Sequence, residues 1–531
     1  MDVRSAAWYA ARVVMPLLAM VGCASLPTGY ERVDSYVIED TQDTRLGKEL
    51  APLLAAHPGQ AGFVPLVSGT DALVARVALM RAAERSLDIQ YYIWHADTAG
   101  RILSEELLHA ADRGVRVRLL LDDLDMEGKE LSLRMLDAHP NIEVRLYNPF
   151  AHRGSRAVGF LTDLRRVNYR MHNKSMTADN QATIVGGRNI GNEYMGGESH
   201  ADFADLDVLA VGPVVHDVST AFDEYWNNEV VVPVAAFEAA PIGARELEDG
   251  RRRLAAFVAQ AATTRYALAL QQTDLLAAKS FRELHFSWGR SVLLYDAPSK
   301  AQGGKIAATT HMGPRLAEVF DQAQHDVLIV SPYFVPGGRL VDFLGDLVQR
   351  GVKVRILTNS LAANDVGVVH AGYMRYREDL LKRGVELYEY KRAADVNPQG
   401  DGKTKMWRGS DKASLHAKSF AFDRRVLFVG SFNLDPRSVL LNTEMGVLFE
   451  SPELAAALSD GFDKNIDQKA YRLQLKTIPA GDGPYSFERE SLEWVTRENG
   501  EEVRFEAEPD TSWWRRFSTG LVSLIVIEKM L

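Results

Sequence analysis

Arg113-Gly-Val-Arg-Val-Arg-Leu-Leu-Leu121 returns 237 residues further on as Arg350-Gly-Val-Lys-Val-Arg-Ile-Leu-Thr358. Each copy follows a segment with helical spacing of apolar residues, 102–111 or 340–349, and itself alternates like a strand. Before those helices lie the apolar strands Leu87-Asp-Ile-Gln-Tyr-Tyr-Ile93 and Val327-Leu-Ile-Val-Ser-Pro-Tyr333. After them come Ile142-Glu-Val-Arg-Leu-Tyr147 and Val385-Glu-Leu-Tyr-Glu-Tyr390, 243 residues apart. Strand, helix, strand, helix, strand predicts an α/β fold with a parallel or mixed sheet, built twice.

The composition fits such a chain. Its 531 residues are 46% hydrophobic and 25% charged, which excludes collagen, low-complexity disorder and a polytopic membrane protein. The net charge of -10 argues against nucleic acid as the main partner, because its binders carry a basic footprint. A single cysteine, Cys23, rules out an internal disulfide and a cysteine-rich zinc site. It follows Arg4, Arg12 and a nine-residue apolar run, Val13 to Val21, half the length of a membrane span but suited to a signal peptide. Leu18-Ala-Met-Val-Gly-Cys23 resembles a bacterial lipobox, which implies cleavage before Cys23 and its lipidation. The implied location is the cell envelope, facing the periplasm, with Ala24 favouring the outer membrane.

The chemical motif repeats in step with the scaffold. The first half reads Met171-His172-Asn-Lys174-Ser-Met-Thr-Ala-Asp179, then Ile184-Val-Gly-Gly187-Arg-Asn189. The second reads Leu415-His416-Ala-Lys418-Ser-Phe-Ala-Phe-Asp423, then Phe428-Val-Gly-Ser431-Phe-Asn433. One such match among 13 histidines is an event of roughly a few per cent, but two in register are far rarer.

On a strand, His-x-Lys sets imidazole and ammonium on one face. The chain then turns at Asp179-Asn180 or Asp423-Arg424, and the returning ladder is expected to bring Asn189 near His172 and Asn433 near His416. Converging His, Lys and Asn suit a phosphodiester: lysines neutralise its oxygens, amides donate to them, and close approach is allowed at Gly187, matched by Ser431 in the other half. Asp207 and Glu444, at the heads of apolar strands, are candidates to orient a histidine. The turn residues Asp179 and Asp423 complete the catalytic motif with an organising role. A lysine beside each histidine repels cations, so neither metal nor cofactor is implied.

With these paired motifs, the chain resembles the phospholipase D superfamily from about residue 45 onward, most of all bacterial cardiolipin synthases of the C type. That resemblance implies two pseudo-symmetric lobes, each a mixed sheet flanked by helices, sharing one active site at their interface. It implies two-step displacement at phosphorus through a phosphohistidine, with His172 favoured as nucleophile and His416 as acid/base. The near symmetry of the motifs leaves that assignment open. The implied substrates are phospholipids at a membrane surface: phosphatidylglycerol, with phosphatidylethanolamine as a second candidate. Hydrolysis by the same site is the alternative; a nuclease fits the acidic total poorly.

The expected organisation is a signal peptide (1–22), a lipidated tether (23–60), lobe 1 (61–213), a helical connector (214–290), lobe 2 (291–470) and a C-terminal part (471–531). The last holds a hairpin at Asn499-Gly500 and a Trp- and Arg-containing segment suited to a membrane interface. Arg153, Arg156, Arg165, Arg166 and Arg170, with Lys391 to Lys412 in the other half, are expected to meet anionic headgroups.

Overall fold

The computed structural model describes residues 25–196, 203–237, 242–261, 280–303, 307, 309–364, 366–392, 414–479 and 488–525. Cys23, the signal segment and the basic run 403–412 lie outside them.

The repeated Arg-Gly-Val marks the end of a helix and the start of a strand. Helix Thr98–Asp112 begins where Asp97 accepts the Gly100 N–H. It ends before Gly114, at φ 93°, with Val115 N–H bonded to Ala110 O and Gly114 N–H to Ala111 O. Helix Gly337–Gln349 ends likewise at Gly351, φ 91°, with Val352 bonded to Leu347 O. Only glycine adopts this left-handed turn without strain, and the turn sends the chain straight into the next strand.

Strands Ser86–Tyr91, Arg116–Asp122 and Ile142–Tyr147 pair in parallel, and Ser175–Ala178, Ala182–Gly186, Asp207–Val211 and Ala61–Leu66 add antiparallel strands beside the first. Lobe 2 repeats the parallel trio as Asp326–Val330, Lys353–Asn359 and Glu386–Tyr390, joined antiparallel by Ser419–Phe422, Val426–Gly430 and Met445–Glu450. One apolar core is shared between the sheets, containing Phe63, Val185 and Val208 of the first with Leu328, Val429 and Phe449 of the second. Phe63 and Phe449 stack at 4.0 Å across this seam. Helices close each outer face over a separate core. The expected mixed α/β double lobe is the observed fold.

Two expectations need correction. The segment 23–60 is not a free tether. Residues 33–37 are fastened to lobe 1, with Arg145 donating to Val33 O, Arg118 to Ser35 O and Trp226 to Ser35 Oγ, and helix Arg45–Ala56 buries Leu46 and Leu50 in the core. The stretch 214–290 is not only helical. It supplies both edge strands of the first sheet, Val231–Pro233 and Ser287–Gly289. The C-terminal hairpin, Arg489–Glu498 and Glu501–Phe505 around Asn499 (φ 52°) and Gly500 (φ 86°), extends the second sheet through Ala470–Ile478. Helix Trp513–Ile525 follows, with Trp513, Trp514 and Phe517 exposed. No described helix is long and apolar enough to cross a membrane.

Candidate active site

The two His-x-Lys stretches run past the ends of their own sheets and bond to the opposite lobe. The strand holding the first motif starts only at Ser175; His172 N–H donates to Thr443 O, and Thr443 N–H to Arg170 O. In the second, Ser414–Leu415 pairs with Phe203–Ala204, and His416 N–H donates to Ala204 O. The expected in-strand placement of His-x-Lys is therefore replaced by an extended crossing. Each histidine is held by backbone that the other lobe supplies.

The side chains cross over too. His172 Nδ1 lies 2.8 Å from Glu444 Oε2, and His416 Nδ1 lies 2.6 Å from Asp205 Oδ2. All four side chains are buried. With Nδ1 held by a carboxylate, Nε2 is the nitrogen placed to react. Glu444 also accepts from Ser431 Oγ at 2.5 Å and Ser438 Oγ at 2.7 Å. Asp205 accepts from Leu206 N–H at 2.8 Å. Tyr92 meets His172 edge-on at 4.9 Å, and Tyr194 meets His416 at 5.2 Å.

Burial lowers His172 to about 4, with Glu444 pulling up and both Lys174 and Lys418 pushing down. Burial likewise lowers His416, again with both lysines adding to the fall and Asp205 opposing it. Lys174 is lowered to about 7, by burial first. That each histidine feels both ammonium groups puts the two half-motifs in one electrostatic site. Lys174 Nζ donates to His172 O at 2.6 Å, and Lys418 Nζ to His416 O.

Three expected roles change. Asp207 does not hold a histidine: its Oδ2 is 2.9 Å from Arg76, itself buried and bonded to Tyr91 Oη. Gly187 makes room for protein rather than substrate, because a Cβ there would overlap Asp205 Oδ1. Ser431 spends its hydroxyl on Glu444. The half-site with a glycine thus takes the shorter carboxylate, and the half-site with a serine bonds the longer one. Asp179 and Asp423 sit at the far end of their hairpins, at φ 50° and 51°. Asp179 accepts from the N–H groups of Glu84, Arg85 and Ser86, and Asp423 from those of Gln324, His325 and Asp326. They fasten the turn to the neighbouring strand. Asn189 accepts from Ile93 N–H at 3.3 Å, and Asn433 is buried with no partner for its Oδ1 among the described residues.

The arginines before the first motif are mostly structural. Arg156 is buried against Asp123 and Arg170 against Asp122, while Arg153 also reaches Asp123 and Arg166 pairs with Asp163. Arg437 donates to Asn168 Oδ1 and O, across the two lobes. His95, Asp97 and Glu193 bring ligand atoms within 4.8 Å of one another. Asp97 is occupied by the N–H groups of Gly100 and Asn192, and His95 is pushed up to about 10 by Asp125 and Glu193. An imidazolium held between two carboxylates accounts for this trio.

Sequence reasoning missed Asp205, Ser438, Tyr92, Tyr194 and Arg76. Asp205 was visible two positions before Asp207, on the same face of an extended chain. Asp205 meets the histidine of the opposite lobe, whereas Asp207 is taken by Arg76 within its own lobe. Arg76→Ala leaves the buried Asp207 carboxylate with Arg188 alone, whose Nη1 is 3.6 Å away, an expected loss of about 3 kcal/mol. Urea unfolding measures it, and the activity of the remaining folded protein should stay within a few-fold.

The paired motifs have counterparts in known proteins. Residues 77–226 and 316–466 match the family model described as "Cardiolipin synthase, PLD-like domain". Cardiolipin synthase C of Escherichia coli (strain K12) is 43% identical over 489 residues, covering 92% of this chain and all of that protein. Cardiolipin synthase A of Pseudomonas syringae is 28% identical over 386 residues, 72% of this chain and 64% of that one. Among solved structures, phosphatidylserine synthase of Haemophilus influenzae Rd KW20 shares the fold, with a TM-score of 0.52 at 15% identity over 77% of this chain and 87% of that chain. The twice-matched domain and the full-length relative place this chain in the cardiolipin synthase family of phospholipase D-like proteins.

Proposed function

We propose that this protein moves a phosphatidyl group between phospholipids and forms cardiolipin from phosphatidylglycerol and a second phospholipid. The observation that carries the reading is the crossed pair of carboxylate–histidine contacts, Glu444 on His172 and Asp205 on His416, around two buried lysines. In the first step the Nε2 lone pair of His172 attacks phosphorus. The N–P bond forms as the P–O bond to the leaving alcohol breaks, and His416 gives that oxygen its proton. In the second, His416 takes the proton of an incoming lipid hydroxyl, whose oxygen attacks phosphorus and releases His172. Lys174 and Lys418 offset the charge on the non-bridging oxygens.

The carboxylates support this division of roles. Glu444 shares its charge among an imidazole and two hydroxyls, so it holds a proton on His172 weakly and favours a neutral nucleophile. Among the described residues the Asp205 carboxylate makes one backbone bond besides its histidine, and it supports an imidazolium acid at His416 against burial and Lys418. Purified protein is incubated with phosphatidylglycerol, alone and with phosphatidylethanolamine, and the lipids are analysed by mass spectrometry. Cardiolipin supports the reading, and a larger yield with both lipids names phosphatidylethanolamine as co-substrate. Phosphatidic acid alone replaces transfer by hydrolysis.

The same reading includes an anchor at Cys23 that holds the mature chain at an envelope membrane, facing the periplasm. Cys23→Ala is expected to move the protein from the membrane to the soluble fraction. Retention at the membrane shifts the attachment to the exposed Trp513, Trp514 and Phe517 of the last helix.

A further inference from the structure

From the apolar cavity between helices Thr98–Asp112, Glu130–Asp137 and Ala244–Ala261, we infer that lobe 1 holds an acyl chain of an anionic lipid beside the catalytic histidines. The cavity measures about 380 Å³. Leu108, Leu119, Leu121, Met126, Leu136 and Leu254 form its walls. Cores keep few voids larger than a water molecule, so a space of this size with apolar walls is built for an occupant.

Charge at the lining selects the occupant. Arg101, Lys129, Arg251 and Arg253 line the space, and among the described residues no aspartate or glutamate does. Lys129 is paired with Asp125 and Arg251 with Asp112, which leaves Arg101 and Arg253 without a carboxylate partner among the described residues. An apolar interior under a net positive mouth matches an aliphatic tail below an anionic head.

Position ties the cavity to the reaction. Trp94 and His95 form part of its lining, two and three residues beyond Tyr92, whose ring lies 4.9 Å from that of His172. Trp94 bridges to Ile190, the residue after Asn189, and packs edge-on against Tyr91 at 5.9 Å. One short segment thus separates the phosphate-handling groups from the space for the chain. This inference rests on the lipid-transfer reading and adds a chain-binding site to it.

The test uses filling variants, Ser104→Phe and Met135→Trp, in the full-length protein. Binding is read from the fluorescence of cis-parinaric acid, an anionic chain probe that needs no turnover. Removing room for several methylenes is expected to weaken it about tenfold or more. With transfer activity in hand, the KM for dioleoyl phosphatidylglycerol in detergent micelles rises, while turnover of the dihexanoyl lipid is unchanged. Filled variants that bind the probe and both lipids as the parent does, or that lose both lipids equally, overturn the inference. If neither variant folds, Arg253→Glu at the exposed mouth decides: the acid probe weakens about threefold or more while its neutral methyl ester does not. Equal loss of both probes overturns the charge match. Absence of transfer in the parent protein defeats the catalytic reading, whereas absence of probe binding defeats this one.

Discussion

His172→Ala and His416→Ala are each expected to lower cardiolipin formation by about 10⁴-fold or more, and the double variant by no more than the worse single one. The reason is that the two imidazoles act on one bond. Without the nucleophile there is no N–P intermediate, and without the acid/base the leaving oxygen receives no proton and the acceptor loses none. The two variants differ in what they accumulate. Supplied with a phosphatidyl ester of p-nitrophenol, whose leaving group needs no acid, His416→Ala should release one equivalent of p-nitrophenol and retain the phosphatidyl group on His172. His172→Ala should show neither burst nor label. Label on His416 in place of His172 reverses the assigned roles. Wild-type rates in either variant remove the phosphohistidine mechanism.

The lobes were legible because their signals are local. The Arg-Gly-Val repeat encodes a left-handed glycine at a helix end, and both Gly114 and Gly351 adopt it. The turn pairs Asp179-Asn180 and Asp423-Arg424 all take positive φ, so the motif spacing reports a real hairpin. The second histidine partner was not legible in the same way. A candidate carboxylate can be read from its place before an apolar strand, and Glu444 was. Choosing between Asp205 and Asp207 depends on Arg76, 131 residues before Asp207, reaching it from a helix on the first lobe. Nor can alternation show that a stretch leaves its own sheet: Met171 and Leu415 look like strand residues, but their partners, Thr443 and Ala204, lie in the opposite lobe. The arginines before the first motif misled for a related reason. Their carboxylates, Asp122 and Asp123, lie at the end of the Arg116–Asp122 strand, far upstream in sequence.

Asp205→Asn and Glu444→Gln should each lower transfer by about 10²–10⁴-fold with little change in KM, because both carboxylates are buried and act through the Nδ1 of a histidine. The amide nearly preserves shape but can present its NH₂ to Nδ1, which selects the tautomer that has its proton on Nε2. For His172 that tautomer cannot attack phosphorus. For His416 it loses the negative charge that supports the imidazolium. The pH dependence separates the two. Asp205 raises the pKa of His416 against burial and the lysines, so its removal lowers that pKa further. The protonated acid then survives only at lower pH, and the alkaline limb of the rate profile moves in the acid direction. Glu444→Gln lowers His172, which burial already holds at about 4, and a neutral nucleophile stays neutral at pH 7. Its profile above neutrality should keep its shape at a lower height. A merely structural role for these carboxylates predicts loss of folded protein with no movement of either limb. Each carboxylate comes from the lobe opposite its histidine, so neither half-site is complete until the lobes have docked.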